Sequence, residues 1–170
     1  MYPEEFLSRI VDPGLAFLAD FGTPQPSDDA RRMMVAIALQ ESGQGLNARY
    51  QNSPSTSPGP ARGWWQFEQG GGVAGVLQHN ASSLMAYEAC KRLTVVPQAA
   101  AVWRAIEGHD TLATVFARLL LWTDPRALPT EQGAGWDYYV RNWRPGKPHP
   151  EMWPGNWKTA TDTLGKVLVS

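Results

Sequence analysis

The chain has 170 residues, enough for one domain that buries about 70% of its unfolded surface. A hydrophobic share of 43% marks it as globular, and a net charge of −1 excludes a nucleic-acid binder that relies on overall basicity. Its only cysteine is Cys90, so no intrachain disulfide can form, and no apolar run is long enough for a stable membrane insertion.

The pattern along the chain is one of short helices punctuated by glycine and proline, with no clear strand and no internal repeat. The start, Met1-Tyr2-Pro3-Glu4-Glu5, is acidic, unlike the basic start of a signal peptide, so synthesis in the cytoplasm without a signal peptide is expected. Residues 4–11 and 13–21 read as two helices separated at Asp12-Pro13, an N-cap followed by proline at the first helical position. Ser27 caps the next helix. Asp28 and Asp29 in its first turn suit the helix dipole. Met33, Met34, Ile37 and Leu39, with interspersed alanines, make it the buried central helix, running to about Ser42. Gly43 stops it. The stretch from Gln44 to Arg62 is polar and rich in Ser, Pro and Gly, and a loop of that length is usually functional or mobile.

Further helices are expected near 70–79, 82–93, 97–107, 110–123, 134–143 and 156–168. Gly70-Gly71-Gly72 lacks the lysine and serine of a phosphate loop and reads as a turn or hinge. Leu119-Leu120-Leu121 belongs to the core, as do Trp103 and Trp122 in their apolar helices. Cys90 reads as a small buried residue. Arg144-Pro145-Gly146-Lys147-Pro148-His149-Pro150 is a rigid basic turn.

Two segments carry the chemistry. Ile37-Ala38-Leu39-Gln40-Glu41-Ser42-Gly43 places an acid at a helix end. Ala61-Arg62-Gly63-Trp64-Trp65-Gln66-Phe67 brings a pair of indoles and an amide after the polar loop. Glycosidic-bond cleavage needs a carboxyl that is still protonated near neutrality, and apolar rings beside a carboxyl raise its pKa. Glu41 is the candidate acid, with Trp64 and Trp65 as the aromatic wall. Eight tryptophans are more than core packing needs. Flat indoles stack on sugar faces, so Trp64, Trp65, Trp143 and Trp153 are read as sugar-binding candidates.

A second carboxylate is not marked by any motif. Glu68 is the nearest in sequence to the tryptophan pair, ahead of Asp110, Asp124 and Asp137. Tyr138 and Tyr139 are neighbours on one helix, and only one is expected to face inward, with Tyr139 preferred. Arg141, Arg144, Lys147 and Lys158 read first as a solvated basic cluster and second as a contact for a muramyl carboxylate or peptide stem. His79, His109 and His149 are scattered, so neither a metal nor another cofactor is indicated.

The pairing of Glu41-Ser42 with Gly63-Trp64-Trp65-Gln66 resembles the lysozyme-like lytic transglycosylases of bacteria and their phages. There a helix ends in Glu-Ser, and a Gly-apolar-apolar-Gln segment follows a loop. The likeness spans roughly residues 30 to 70. The chain departs from the family in a longer intervening loop and in Trp64-Trp65 where Leu-Met is usual. It also lacks the later Tyr-Asn-Ala-Gly segment, whose nearest substitute is Trp136 to Trp143.

The resemblance implies a mainly α, lysozyme-like domain over residues 1–170 around the buried helix, with room for a small β-hairpin near the groove, within 43–67. It implies Glu41 as general acid and base, and Ser42, Gly63, Trp64, Trp65, Gln66, Tyr139 and Trp143 as substrate contacts, with Glu68 as the second acid if one is used. The implied reaction is lytic transglycosylation of peptidoglycan strands by a monomer. Its alternatives are a muramidase or chitinase-like hydrolase using the same glutamate, or an inactive phage structural or sugar-binding protein. Action at the wall then requires delivery by a holin or a phage particle.

Overall fold

The computed structural model describes residues 1–43, 46 and 59–167. The reading of 44–62 as a long polar loop falls mostly outside them. The described chain is mainly helical with one small two-stranded antiparallel ribbon.

The N-terminal segment corrects the expected break at Asp12-Pro13. α1 (Pro3–Phe6), a π-helical turn (Leu7–Val11) and α2 (Asp12–Ala19) follow one another with helical dihedrals at Val11 and Asp12. Proline lacks an N–H and its ring crowds the carbonyl four residues back. Here the wide π turn immediately precedes it, and the helix continues past Pro13. Asp12 is therefore not a cap. Its carboxylate accepts from Arg31 Nε at 2.7 Å and ties this segment to the next helix.

α3 (Asp28–Ser42) begins as its sequence dictates, with Ser27 Oγ accepting from the Ala30 amide at 3.1 Å. From Met33 to Leu39 every side chain is buried, so this is the central helix. α9 (Trp153–Val167) runs against it, and α7 (Asp110–Trp122) packs on α2. That last approach is close. A Cβ on Gly14 would lie 2.4 Å from the Thr114 side chain, whose hydroxyl donates to the Ile10 carbonyl at 3.1 Å.

β1 (Ala61–Arg62) and β2 (Phe67–Glu68) pair Ala61 with Glu68 and Arg62 with Phe67. The turn between them needs a left-handed residue. Gly63 supplies it at φ +72°, and a Cβ there would meet Ile106 Cγ2 at 2.7 Å. A π turn at Gln69–Val73, kinked at Gly71, leads into α4 (Ala74–Gln78), so the triple glycine is a bend. α5 (Ser83–Arg92), α6 (Ala99–Ile106) and α8 (Gln132–Trp143) complete the described helices. α8 and α9 start two and three residues earlier than expected. Residue 168, the expected last helical position, lies outside the described part.

Buried residues from every helix join one apolar cluster, which includes Cys90. Burial raises the Cys90 thiol to about 11, so it stays protonated. Trp122 does not join the cluster. It is 42% exposed, one turn beyond Arg118, whose guanidinium lies 5.6 Å from its ring. Arg118 itself is 4% exposed, and neither Nε nor Nη1 has a partner in the protein. Desolvation lowers its pKa to about 10. A buried guanidinium with two nitrogens left unpartnered is costly, and an apolar side chain of similar length removes the cost. Arg118→Met is therefore expected to stabilise the fold by about 1–3 kcal/mol in urea melts. A loss of stability in the same assay would refute this account.

Candidate active site

Glu41 sits in the last turn of α3, on a groove of about 1060 Å³. The groove is also lined by Gln66, Phe67 and Glu68 of the ribbon, by Gly70–Gly72, by Tyr139 and Trp143 of α8, and by the segment after α8. The residues that meet there come from three distant parts of the chain. Each is positioned by backbone that the sequence sets locally: a helix end, a glycine-dependent turn and a helix face.

Burial raises the Glu41 carboxyl from its ordinary value to about 7. The hydrogen bond from Tyr139, with its hydroxyl 2.6 Å from Glu41 Oε1, works the other way, and the charge of Glu68 adds to the rise. Glu41 is thus a carboxyl still substantially protonated at neutral pH, in a groove open to a ligand. Burial, and then the neighbouring Glu41, push the Tyr139 phenol well above its usual value. Tyr139 therefore stays a donor throughout the working pH range. It is itself backed by Trp153, stacked at 5.3 Å with an interplanar angle of 12°.

Removing this donor has a defined sign. The phenol stabilises the ionised carboxylate, so Tyr139→Phe is expected to raise the Glu41 pKa further, by up to about one unit. The alkaline limb of a pH–rate profile then moves to higher pH while kcat falls. A limb that stays put or moves to lower pH would count against the contact.

The tryptophan wall is where the structure departs most from expectation. Trp65 is fully buried, packed on Phe6 at 5.5 Å, and its indole N–H donates to the Met34 carbonyl at 2.9 Å. Trp64 is 5% exposed and lies edge-on to Phe6 at 5.6 Å, with its N–H on Asp110 at 2.9 Å. Neither ring lines the groove. Both indoles anchor the ribbon to the core instead of stacking on a sugar. The reason is geometric: the left-handed turn at Gly63 and Gln66 directs the intervening pair into the N-terminal helix.

Ser42 is also turned away from a substrate role. It is buried, and its hydroxyl donates to the Ala38 carbonyl at 2.6 Å. Gly63 serves the turn. Gln66 lines the groove, and its side-chain amide donates to the Gly63 carbonyl at 2.9 Å. Trp143 is the one sugar-binding indole candidate that does reach the groove. It rests on Phe67 at 5.9 Å and donates to the Trp65 carbonyl at 3.0 Å. Trp153 is buried behind Tyr139. Trp103, expected in the core, is half-buried, with its N–H on the Pro60 carbonyl at 2.7 Å and Arg62 over its ring at 4.4 Å.

Of the other carboxylates, only Glu68 joins Glu41 on the groove. Asp110 receives Trp64, and Asp137 is exposed on α8. Burial alone would raise the Asp124 carboxyl. The Arg126 amide, Asn142 and Arg141 outweigh it and hold the carboxyl below its ordinary value. Tyr138 and Tyr139 are both buried, against the expectation that only one would be. Neighbours on a helix are about 100° apart, and α8 has protein on both sides. Tyr138 donates to the Leu121 carbonyl of α7 at 2.6 Å, and Tyr139 turns to Glu41.

Sequence reasoning missed Gln40. Its amide donates to the His149 carbonyl at 3.0 Å and accepts from Asn156 at 2.8 Å. Its place next to Glu41 at the exit of a buried helix was the available signal. Among the described residues, no group of three or more His, Cys, Asp or Glu side chains could hold a metal, and no helix is long and apolar enough to cross a membrane. No family model matches this chain, nor does any curated protein or solved structure, so its chemistry rests on Glu41, Tyr139 and the groove around them.

Proposed function

We propose that the chain cleaves the β-1,4 bond between N-acetylmuramic acid and N-acetylglucosamine in peptidoglycan, with Glu41 as general acid and then general base. The observation that carries this reading is a carboxyl with a pKa of about 7 on an open groove, held by a phenol at 2.6 Å. The resemblance of Glu41-Ser42 and Gly63-Trp64-Trp65-Gln66 to lytic transglycosylases supplies the substrate class.

Protonated Glu41 gives its proton to the glycosidic oxygen as the bond to the anomeric carbon breaks. The carboxylate then takes the proton of the muramyl C6 hydroxyl, and that oxygen attacks the anomeric carbon to close a 1,6-anhydro ring. The proton lost in the first step is regained in the second, and no water is consumed. This route needs one carboxyl. It therefore fits a groove whose other acid, Glu68, is exposed.

A second reading has one observation in its favour. Glu68 lines the same groove and raises the proton affinity of Glu41 through its charge. In that reading Glu68 activates water, and the enzyme is a muramidase or chitinase-like hydrolase. Mass analysis of fragments from purified peptidoglycan separates the two. Transglycosylation leaves anhydro ends lighter than hydrolytic ends by one water. Reducing ends as the sole product, or efficient chitin hydrolysis, move the assignment to the hydrolase. Binding without any cleavage by the unaltered chain sinks both.

A further inference from the structure

One flank of the groove has a chemistry that acid catalysis does not use. It is the connection between α8 and α9, of which Arg144, Lys147 and His149 line the groove together with Arg141 just before it. Their commitments differ. Arg141 is held by Asp124 at 2.7 Å, and His149 faces Glu151 at 3.0 Å. Arg144 makes only a long hydrogen bond to the Arg141 carbonyl, at 3.5 Å, and among the described residues neither Arg144 nor Lys147 has a carboxylate in salt-bridge range. Lys158, grouped with them by sequence, pairs with Asp162 and is not on the groove. Two uncommitted cations thus stand on the groove of a chain whose net charge is −1.

The flank is fixed in place, which separates it from a solvated loop of lysines. Gln40 donates to the His149 carbonyl at 3.0 Å and is itself held by Asn156 of α9. The connection is thereby tethered to the residue next to Glu41. At its other end Trp143 is fixed to the Trp65 carbonyl, and Arg144 adopts the left-handed conformation, φ +49°, that ends α8. Pro145, Pro148 and Pro150 limit its freedom further.

We propose that Arg144 and Lys147 bind a carboxylate carried by the glycan strand, so that the groove selects acidic strands over neutral oligomers of N-acetylglucosamine. The inference rests on the glycan-cleaving reading and narrows its substrate. The carboxylate has two sources in peptidoglycan: the lactyl group of a muramic acid stripped of its peptide, or the peptide stem itself. Either offers two oxygens to a guanidinium and an ammonium.

Binding of three probes tests this, using the chain with Glu41→Gln so that strands are not consumed. The probes are a neutral N-acetylglucosamine oligomer, stem-free peptidoglycan strands and stem-bearing strands. The expected result is tighter binding of acidic strands, a preference that weakens with salt. Arg144→Ala with Lys147→Ala should cut that preference by about tenfold, and Arg144→Lys with Lys147→Arg should largely keep it. Loss confined to stem-free strands identifies the lactyl carboxylate, and loss confined to stem-bearing strands identifies the stem. Lys147→Ala alone, on an exposed turn, keeps the test readable if replacing Arg144 disturbs the end of α8. Equal binding of neutral and acidic probes, or a preference the double variant does not move, overturns the proposal. Intact preference, together with an unaltered Glu41 chain that cleaves nothing, would sink the catalytic reading alone. Cleavage without preference would sink this inference alone.

Discussion

Glu41→Gln is expected to abolish strand cleavage, with a loss of about 10²–10⁴-fold in kcat or more. The amide keeps the shape of the side chain and can still accept from Tyr139. It has no proton to give to a leaving oxygen and cannot take one from an attacking hydroxyl. The same substitution has a second, independent signature. The folded-state pKa of Glu41 is about 7 against an ordinary 4.5, so between these values the folded state holds a proton that the unfolded chain has released. The stability that this carboxyl contributes is therefore fully present below about pH 4.5. It falls as pH rises towards 7 and is lost above that. Glu41→Gln should leave thermal stability near that of the parent at pH 4 and raise it at pH 8, by about 1–3 kcal/mol. A variant that cleaves as well as the parent, or one with the same stability difference at both pH values, would contradict the assignment of this proton.

The second large effect is on the fold. Trp65→Ala should destabilise the chain by about 3–5 kcal/mol, because it empties the volume of a fully buried indole and removes the hydrogen bond that the indole N–H gives to the Met34 carbonyl. A substitution of that size consumes much of the stability of an ordinary domain. Activity should disappear with the fold, and a shift in the urea midpoint should precede any specific effect on substrate. Trp143→Ala should do the opposite: weaken substrate binding, with a smaller change in midpoint, since its ring is only partly buried and lines the groove. If Trp65→Ala instead retained the parent midpoint and merely lost sugar binding, the buried placement of this ring would be wrong.

The contrast between these two tryptophans shows what the sequence could and could not disclose. The buried central helix was legible because seven consecutive small or apolar residues after a serine cap leave no polar face. Glu41 at its exit was legible for the same reason: it is the first acid to follow them. The direction of Trp64 and Trp65 was not. Two adjacent indoles after a glycine can turn outward or inward, and the choice lies in positive φ angles at Gly63 and Gln66 and in the position of Phe6, some sixty residues away. The merged N-terminal helix was missed because Asp-Pro is a good helix start in isolation, and the π turn that accommodates it has no local sequence mark. Tyr139 was reachable only as one of two neighbouring tyrosines. Selecting it required knowing that α8 lies between α7 and α9.

The hydrogen bond between Glu41 and Tyr139 joins residues 98 positions apart. Glu41 and the helix that bears it leave the ribosome long before α8 exists. In the unfolded chain this carboxyl is an ordinary solvated glutamate, ionised at neutral pH and useless as a proton donor. The raised proton affinity is therefore made by burial in the folded chain, not carried by the residue. Its proton also becomes a reporter. The carboxyl resonance of Glu41, followed during refolding at pH 6, should change from the ionised to the protonated position as the carboxyl becomes buried, which dates the birth of the site without any substrate present.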